Sequence, residues 1–149
     1  MAGFSPLAYQ GLLNRVLTHV VVPAFPQLSV TSSFMAKSMT HVTFDGDFTR
    51  QEQTAVGIVN SPEPYVMGHL EVAILRSQSL AAAWYAQMQL LTVIGDVVTH
   101  SDSTLFPVIT LNNCSLINVE PGAYDGQDPT TRLTIKGVLQ INASLWAGI

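Results

Sequence analysis

The sequence predicts a mainly β fold: two packed antiparallel sheets forming a sandwich or barrel, with one flanking α-helix. Three observations carry this. Short runs rich in Val, Ile, Leu and Thr recur between turn residues from Gln27 onward, as strands that pair a core face with a second face do. By contrast, residues 80–91 gather Ala82, Ala83, Ala86, Met88 and Leu90, strong helix formers, without a Gly or Pro. The 149 residues are 48% hydrophobic and 11% charged, against a usual charged share of about 25%. That length suits one domain over 1–149, and its apolar surplus exceeds what one small core hides, so an oligomer is expected.

In chain order, residues 12–22 run into Pro23-Ala24-Phe25-Pro26. The two prolines remove backbone donors, so 1–26 reads as an N-terminal arm or edge segment. Strands are expected at 28–33, 38–44 and 54–59, with Asp45-Gly46-Asp47 as a turn and Asn60-Ser61-Pro62-Glu63-Pro64 as a loop, making 45–64 a loop-rich region. In residues 65–76 Val66, Leu70, Val72 and Ile74 share one face, while Met67, His69, Glu71 and Ala73 share the other. The flanking helix is placed at 77–92, entered through Ser77-Gln78-Ser79, with the stripe Leu80, Trp84, Met88, Leu91 turned to a sheet and Gly95 as its stop. Strands resume at 96–100, 108–111, 115–120 and 130–142, separated by Pro121-Gly122 and Asp125-Gly126-Gln127-Asp128-Pro129. In the last strand Leu133, Ile135, Leu139 and Ile141 oppose Arg132, Thr134, Lys136, Val138 and Gln140. The expected core is therefore the apolar side of residues 65–76 and 130–142 together with Leu80, Trp84 and Met88.

Several functions are excluded on chemistry. The net charge is −4 and the six basic residues are scattered singly, so no patch exists to neutralise a run of phosphates. Cys114, the single cysteine, can form neither an internal disulfide nor a multi-cysteine zinc site and reads as a small buried hydrophobe. His100-Ser101-Asp102-Ser103 juxtaposes a base and hydroxyls, yet Ser and Asp that bond their own backbone make an ordinary loop. The pair His69 and Glu71 shares a strand face, but two ligands do not make a metal centre. No phosphate-binding glycine loop is present, so neither a cofactor nor a catalytic residue is expected. The first residues lack the charged and apolar regions of a secretory leader, and the apolar window 80–94 is too short for a bilayer span. Without a leader, Asn113-Cys114-Ser115 and Asn142-Ala143-Ser144 are read as chance matches to the glycosylation tripeptide. Mutual binding is the class that remains, because a β domain can remove its edges by pairing them with neighbours around a ring.

Four segments narrow that class: Phe34-Met35-Ala36-Lys37-Ser38, the run Phe44-Asp45-Gly46-Asp47-Phe48-Thr49-Arg50-Gln51-Glu52-Gln53-Thr54, the helix entry Leu75-Arg76-Ser77-Gln78-Ser79-Leu80, and Pro121-Gly122-Ala123-Tyr124-Asp125-Gly126. With these in their order, nearly the whole chain resembles a tail tube protein of contractile-tailed bacteriophages. The resemblance implies orthogonally packed sheets with a flanking helix, homohexameric rings whose sheets join into an inner barrel, and rings stacked into a hollow tube through which viral DNA is ejected. It further implies a sheath outside, a baseplate below, a terminator above, and a place in the virion tail after assembly in the host cytoplasm. Duplex DNA would make only transient, non-specific contact in passing. Related tubes serve contractile bacteriocins and type VI secretion, and no motif here separates them. A stand-alone β-sandwich binding module is the competing reading. It calls for exposed aromatics on a polar face, whereas Trp84 lies in the helix stripe and Trp146 near the C-terminus.

Strand alternation nominates His69, Glu71, Thr134, Lys136 and Gln140 as lumen-lining residues. Lys136 is awkward there, since a ring of ammonium groups attracts DNA; a rim position or an inter-subunit ion pair is its alternative. Contacts between subunits or rings are expected from the arm, through Phe4, Leu7 and Tyr9, and from Asp45, Asp47, Phe48, Arg50 and Glu52. Arm and loop region are both expected to lie outside the central core.

Overall fold

Six strands join into one antiparallel sheet in the computed structural model, which describes residues 17–77 and 79–146. The elements are β1 (Thr18–Val21), 3-10 turns at Pro26–Leu28 and Ser32–Phe34, β2 (Met35–Asp45), β3 (Thr49–Gln53), β4 (Ile58–Pro62) and β5 (Tyr65–Leu75). Then come α1 (Ser79–Leu90), β6 (Val93–Ser101), β7 (Ile109–Glu120), β8 (Thr130–Gln140) and the short α2 (Ala143–Trp146). The large sheet has the order β1-β6-β7-β8-β5-β2, and β3 with β4 forms a separate two-stranded sheet. The mainly β class, the antiparallel pairing, the barrel-like curl and one main helix all match expectation.

The curl is pronounced enough for the two edges to meet. Thr18 on β1 places its hydroxyl 3.4 Å from Met35 Sδ and 3.5 Å from Thr40 Oγ1, both on β2. Two glycines make room for this curvature. Gly68 and Gly137 are register partners at the centre of the β5–β8 pair. A Cβ on Gly68 would stand 2.7 Å from Leu111 Cδ2, and one on Gly137 would overlap Cys114 Sγ. Leu111 and Cys114 of β7 can therefore lie over the centre of the sheet only because both positions lack a side chain.

The core lies between the sheet and α1. Leu70, Ile74, Leu133 and Ile135 are fully buried in one cluster with Trp84, which has no exposed surface. Complete burial of each aliphatic side chain contributes about 1.5–3 kcal/mol. Val66, Val72 and Leu80 are buried as expected, whereas Met88 and Leu139 are only partly so. Ile141 falls beyond the end of β8 and is half-buried. Leu91, the last residue of the expected stripe, is half-exposed beyond the helix, and Gln87 is buried instead. Gln87 Nε2 donates to the Leu91 carbonyl at 2.9 Å, satisfying an acceptor just past the helix end.

Other boundaries moved for identifiable reasons. The strand expected at 28–33 is two 3-10 turns around a single bridge between Val20 and Val30. Asn60, Ser61 and Pro62, expected in a loop, belong to β4; the proline sits at the strand's end opposite Thr49, where a missing donor is tolerated. Thr54 lies in the turn before β4, so the expected strand at 54–59 begins only at Ile58. The segments 108–111 and 115–120 are one strand, β7, bulged at Asn113 with φ 53°. Gly95 is not a helix stop, because α1 ends at Leu90; with φ 79° it forms a bulge within β6. Of the arm-or-edge reading, β1 takes the edge, pairing with β6 at the end of the sheet, but the expected place outside the core does not hold there, because Val20 and Val22 are completely buried.

Candidate functional site

Two surfaces collect the residues nominated from sequence: the face of the large sheet opposite the core, and the β3–β4 hairpin. On the first, period-2 alternation and register bring all five lumen nominees together. His69 pairs with Lys136, Glu71 with Thr134, and Tyr65 with Gln140. Asp45, nominated for contacts between subunits, stands at the edge of this same group. Its carboxylate meets His69 Nε2 and lies 3.9 Å from Lys136 Nζ. The ion pair sought for Lys136 thus forms within the chain, and at this exposure it contributes at most about 1 kcal/mol. His41 stands opposite Glu71 across β2 and β5, and Arg132 opposite Glu120 across β8 and β7. These four with Thr134 line a depression of about 510 Å³.

The chemistry of this face is that of a weakly charged wall. Among the described residues no group of three or more His, Cys, Asp or Glu could hold a metal ion. The tempting His100-Ser101-Asp102-Ser103 cluster is spent on local structure. Ser101 Oγ accepts from Ser103 N at 2.9 Å, Asp102 Oδ1 accepts from Leu17 N at 3.2 Å, and the His100 ring packs against His19 with centroids 5.2 Å apart. Cys114 is fully buried and donates to the Leu111 carbonyl. Desolvation pushes its thiol up to about 11, outweighing a backbone hydrogen bond from Val97, so it stays protonated and inert at neutral pH.

The hairpin is the opposite kind of surface. Every residue of β3 is exposed, and β4 is exposed up to Pro62. Arg50 and Glu52 form an ion pair at 2.8 Å on one face, and Gln51 Nε2 donates to Asn60 Oδ1 at 3.1 Å on the other. At the tip Thr54 N donates to the Gly57 carbonyl, leaving Val56 99% exposed, with Ile58 and Val59 more than half exposed beside it. The base is anchored: Phe48 packs edge-on to Phe44, and Asn142 Nδ2 donates to the Glu63 carbonyl at 2.7 Å. Asp47 lines the depression at this base with Asp45 and Arg50. Phe4, Leu7 and Tyr9 lie outside the described residues.

A third cluster went unread in the sequence. Arg76, at the end of β5, donates to the carbonyls of Ala123 and Asp128 and lies 5.3 Å from the Tyr124 ring centre. It fastens the loop before β8, where the backbone N–H groups of Gln127 and Asp128 hold the Asp125 carboxyl below its usual range. The turn residues were legible, but their dependence on a distant arginine leaves no local pattern.

No family model matches the chain, and no curated protein matches it. Two of the solved structures that resemble it are tube-end proteins. The anti-feeding prophage cap, described as a tube-terminating cap, is 14% identical over 91% of this chain and 96% of its own, with a TM-score of 0.49. The PVC sheath/tube terminator of an extracellular contractile injection system, in its extended state, is 14% identical over 89% of this chain and 97% of its own, with a TM-score of 0.48.

Proposed function

We propose that the chain is a structural, non-catalytic subunit that closes into homohexameric rings, and that these rings stack into the inner tube of a contractile tail. The observation that carries this reading is the β3–β4 hairpin. A two-stranded ribbon is at best marginally stable alone in water, and this one holds Val56, Ile58 and Val59 in solvent. Burying each against a neighbouring copy contributes up to about 1.5–3 kcal/mol, which orders the ribbon and joins the copies at once. The face bearing His69, Glu71, Thr134, Lys136 and Gln140 then lines the bore, where paired charges limit the grip on passing duplex DNA. Sheath, baseplate and terminator proteins are the further partners, and the virion tail is the location, after assembly in the host cytoplasm. A bacteriocin or secretion tube would use the same surfaces with a different cargo. A carbohydrate-type binding module is disfavoured because Tyr65 is the one described aromatic of β5 and β8 on the polar face, while Trp84 is buried.

Negative-stain microscopy and light scattering of the purified full chain test the proposal. Rings of six that stack into tubes are expected. Rings that never stack would assign the chain to a tube end, and particles of monomer mass at all concentrations would overturn ring formation.

A further inference from the structure

A second apolar surface lies on the flank of the barrel, where α1 gives way to β6. Leu90 closes the helix with 82% of its surface exposed, and Leu91 and Val93 follow it half-exposed. Val93 pairs with Ser115, and Leu116 N donates to the Thr92 carbonyl at 2.8 Å. The ladder thus runs past the start of β6 and brings Ile117, also more than half exposed, to the position beside Leu91. Residues 77–95 contain no Asp, Glu, Lys or Arg, so α1 has no charged side to turn to water. A helix of that composition is one that an assembly covers.

The hairpin tip matches this flank in chemistry and differs from it in shape. Residues 53–62 also contain no Asp, Glu, Lys or Arg, and Val56 is too exposed for the tip to be seated on its own chain. Joining tip to flank therefore desolvates no charge on either side. The other exposed apolar group, Leu105, Phe106 and Val108, shares its loop with the exposed Asp102 carboxylate, which a seated tip would have to desolvate.

We propose that the flank of Leu90, Leu91, Val93 and Ile117 receives the β3–β4 hairpin tip of a second copy of the chain. The inference rests on the reading of the hairpin as a contact between copies and names the surface that takes it. Tip and flank are different patches, so the contact is head to tail: each copy gives a tip and receives one, and such contacts close into rings or run on as stacks instead of ending at a pair. The side chains involved are far fewer than the roughly 20–30 residues a side of a standard interface. One contact alone is thus too small to hold a dimer, and assembly is cooperative because the contacts reinforce one another.

A photo-crosslinking benzoylphenylalanine replacing Val56 in the full chain tests this, with irradiation of the concentrated protein and mass spectrometry of the attachment point. Attachment between copies at residues 90–93 or 117 is expected. A second readout is charge rescue by sedimentation: Ile58→Glu and Leu90→Lys should each weaken association about tenfold or more, by stranding a charge in the contact, and the double variant should recover most of the loss. Attachment at residues 105–108 or at another tip, or a double variant no better than the single ones, would overturn the proposal. Rings formed without attachment to the flank would overturn it while leaving the ring reading intact; attachment to the flank without rings would support it and overturn ring closure.

Discussion

The large sheet and the β3–β4 hairpin are built from the same kind of antiparallel ladder, yet one is finished and the other is not. On the sheet, each strand has one face against a shared core, so Leu70, Ile74, Leu133 and Ile135 lose all contact with water. On the hairpin both faces are wet, and beyond the anchored base its described side chains are held by Arg50–Glu52, Gln51–Asn60 and a capped turn. Hydrogen bonding is thus equally available to both, and apolar burial is what separates them. A strand pair without a second layer has a defined register and little stability of its own.

Four variants break or sharpen that contrast. Trp84→Ala should have the largest effect, about 3–5 kcal/mol in urea unfolding, through lost transfer energy and the cavity left over the sheet; an unchanged midpoint would remove Trp84 from the core. Its indole N–H is buried without a hydrogen-bond partner among the described residues, so Trp84→Phe should cost much less than the alanine change. Gly137→Ala comes next, at about 1–3 kcal/mol, because the new methyl meets Cys114 Sγ and Leu111. Thermal melts at the wild-type level would show that the curl has slack at this point. Ile58→Ser with Val59→Ser should be smallest, within about 0.5 kcal/mol of wild type, since both side chains are already exposed. The same double variant should lose ring stacking by microscopy. A destabilisation above about 2 kcal/mol would instead make the hairpin part of the chain's own core.

How much of this was legible follows the same division. Where burial is one-sided, as in β5 and β8, period-2 alternation revealed the strand, its core face and its polar face, down to the set from His69 to Gln140. β3 reads Thr-Arg-Gln-Glu-Gln, a strand with no apolar face to announce it. β1 was hidden differently: Pro23 and Pro26 suggested an arm, but they follow the strand and leave the β1 ladder unbroken while Val20 and Val22 fill the core. The polar face was foreseen in halves. Asp45 was assigned to another surface because only the β2–β5 register shows that it reaches His69.

The placement of β1 carries a consequence for how the chain acquires its fold. Thr18 pairs with Ser101, while β5 finds β8 and β7 finds β8 through nearer partners. Loop closure over that span is the slow, entropically costly kind of contact. At a synthesis rate of roughly 5–20 residues per second, β1, the first of the described strands, waits several seconds for its partner to be made. During that interval Val20 and Val22 are unsatisfied apolar groups on a nascent chain. β6 is nevertheless made before β8, on which both β5 and β7 wait, so β1 can find its partner before the sheet is complete, and its contact with β2 is what brings the edges together.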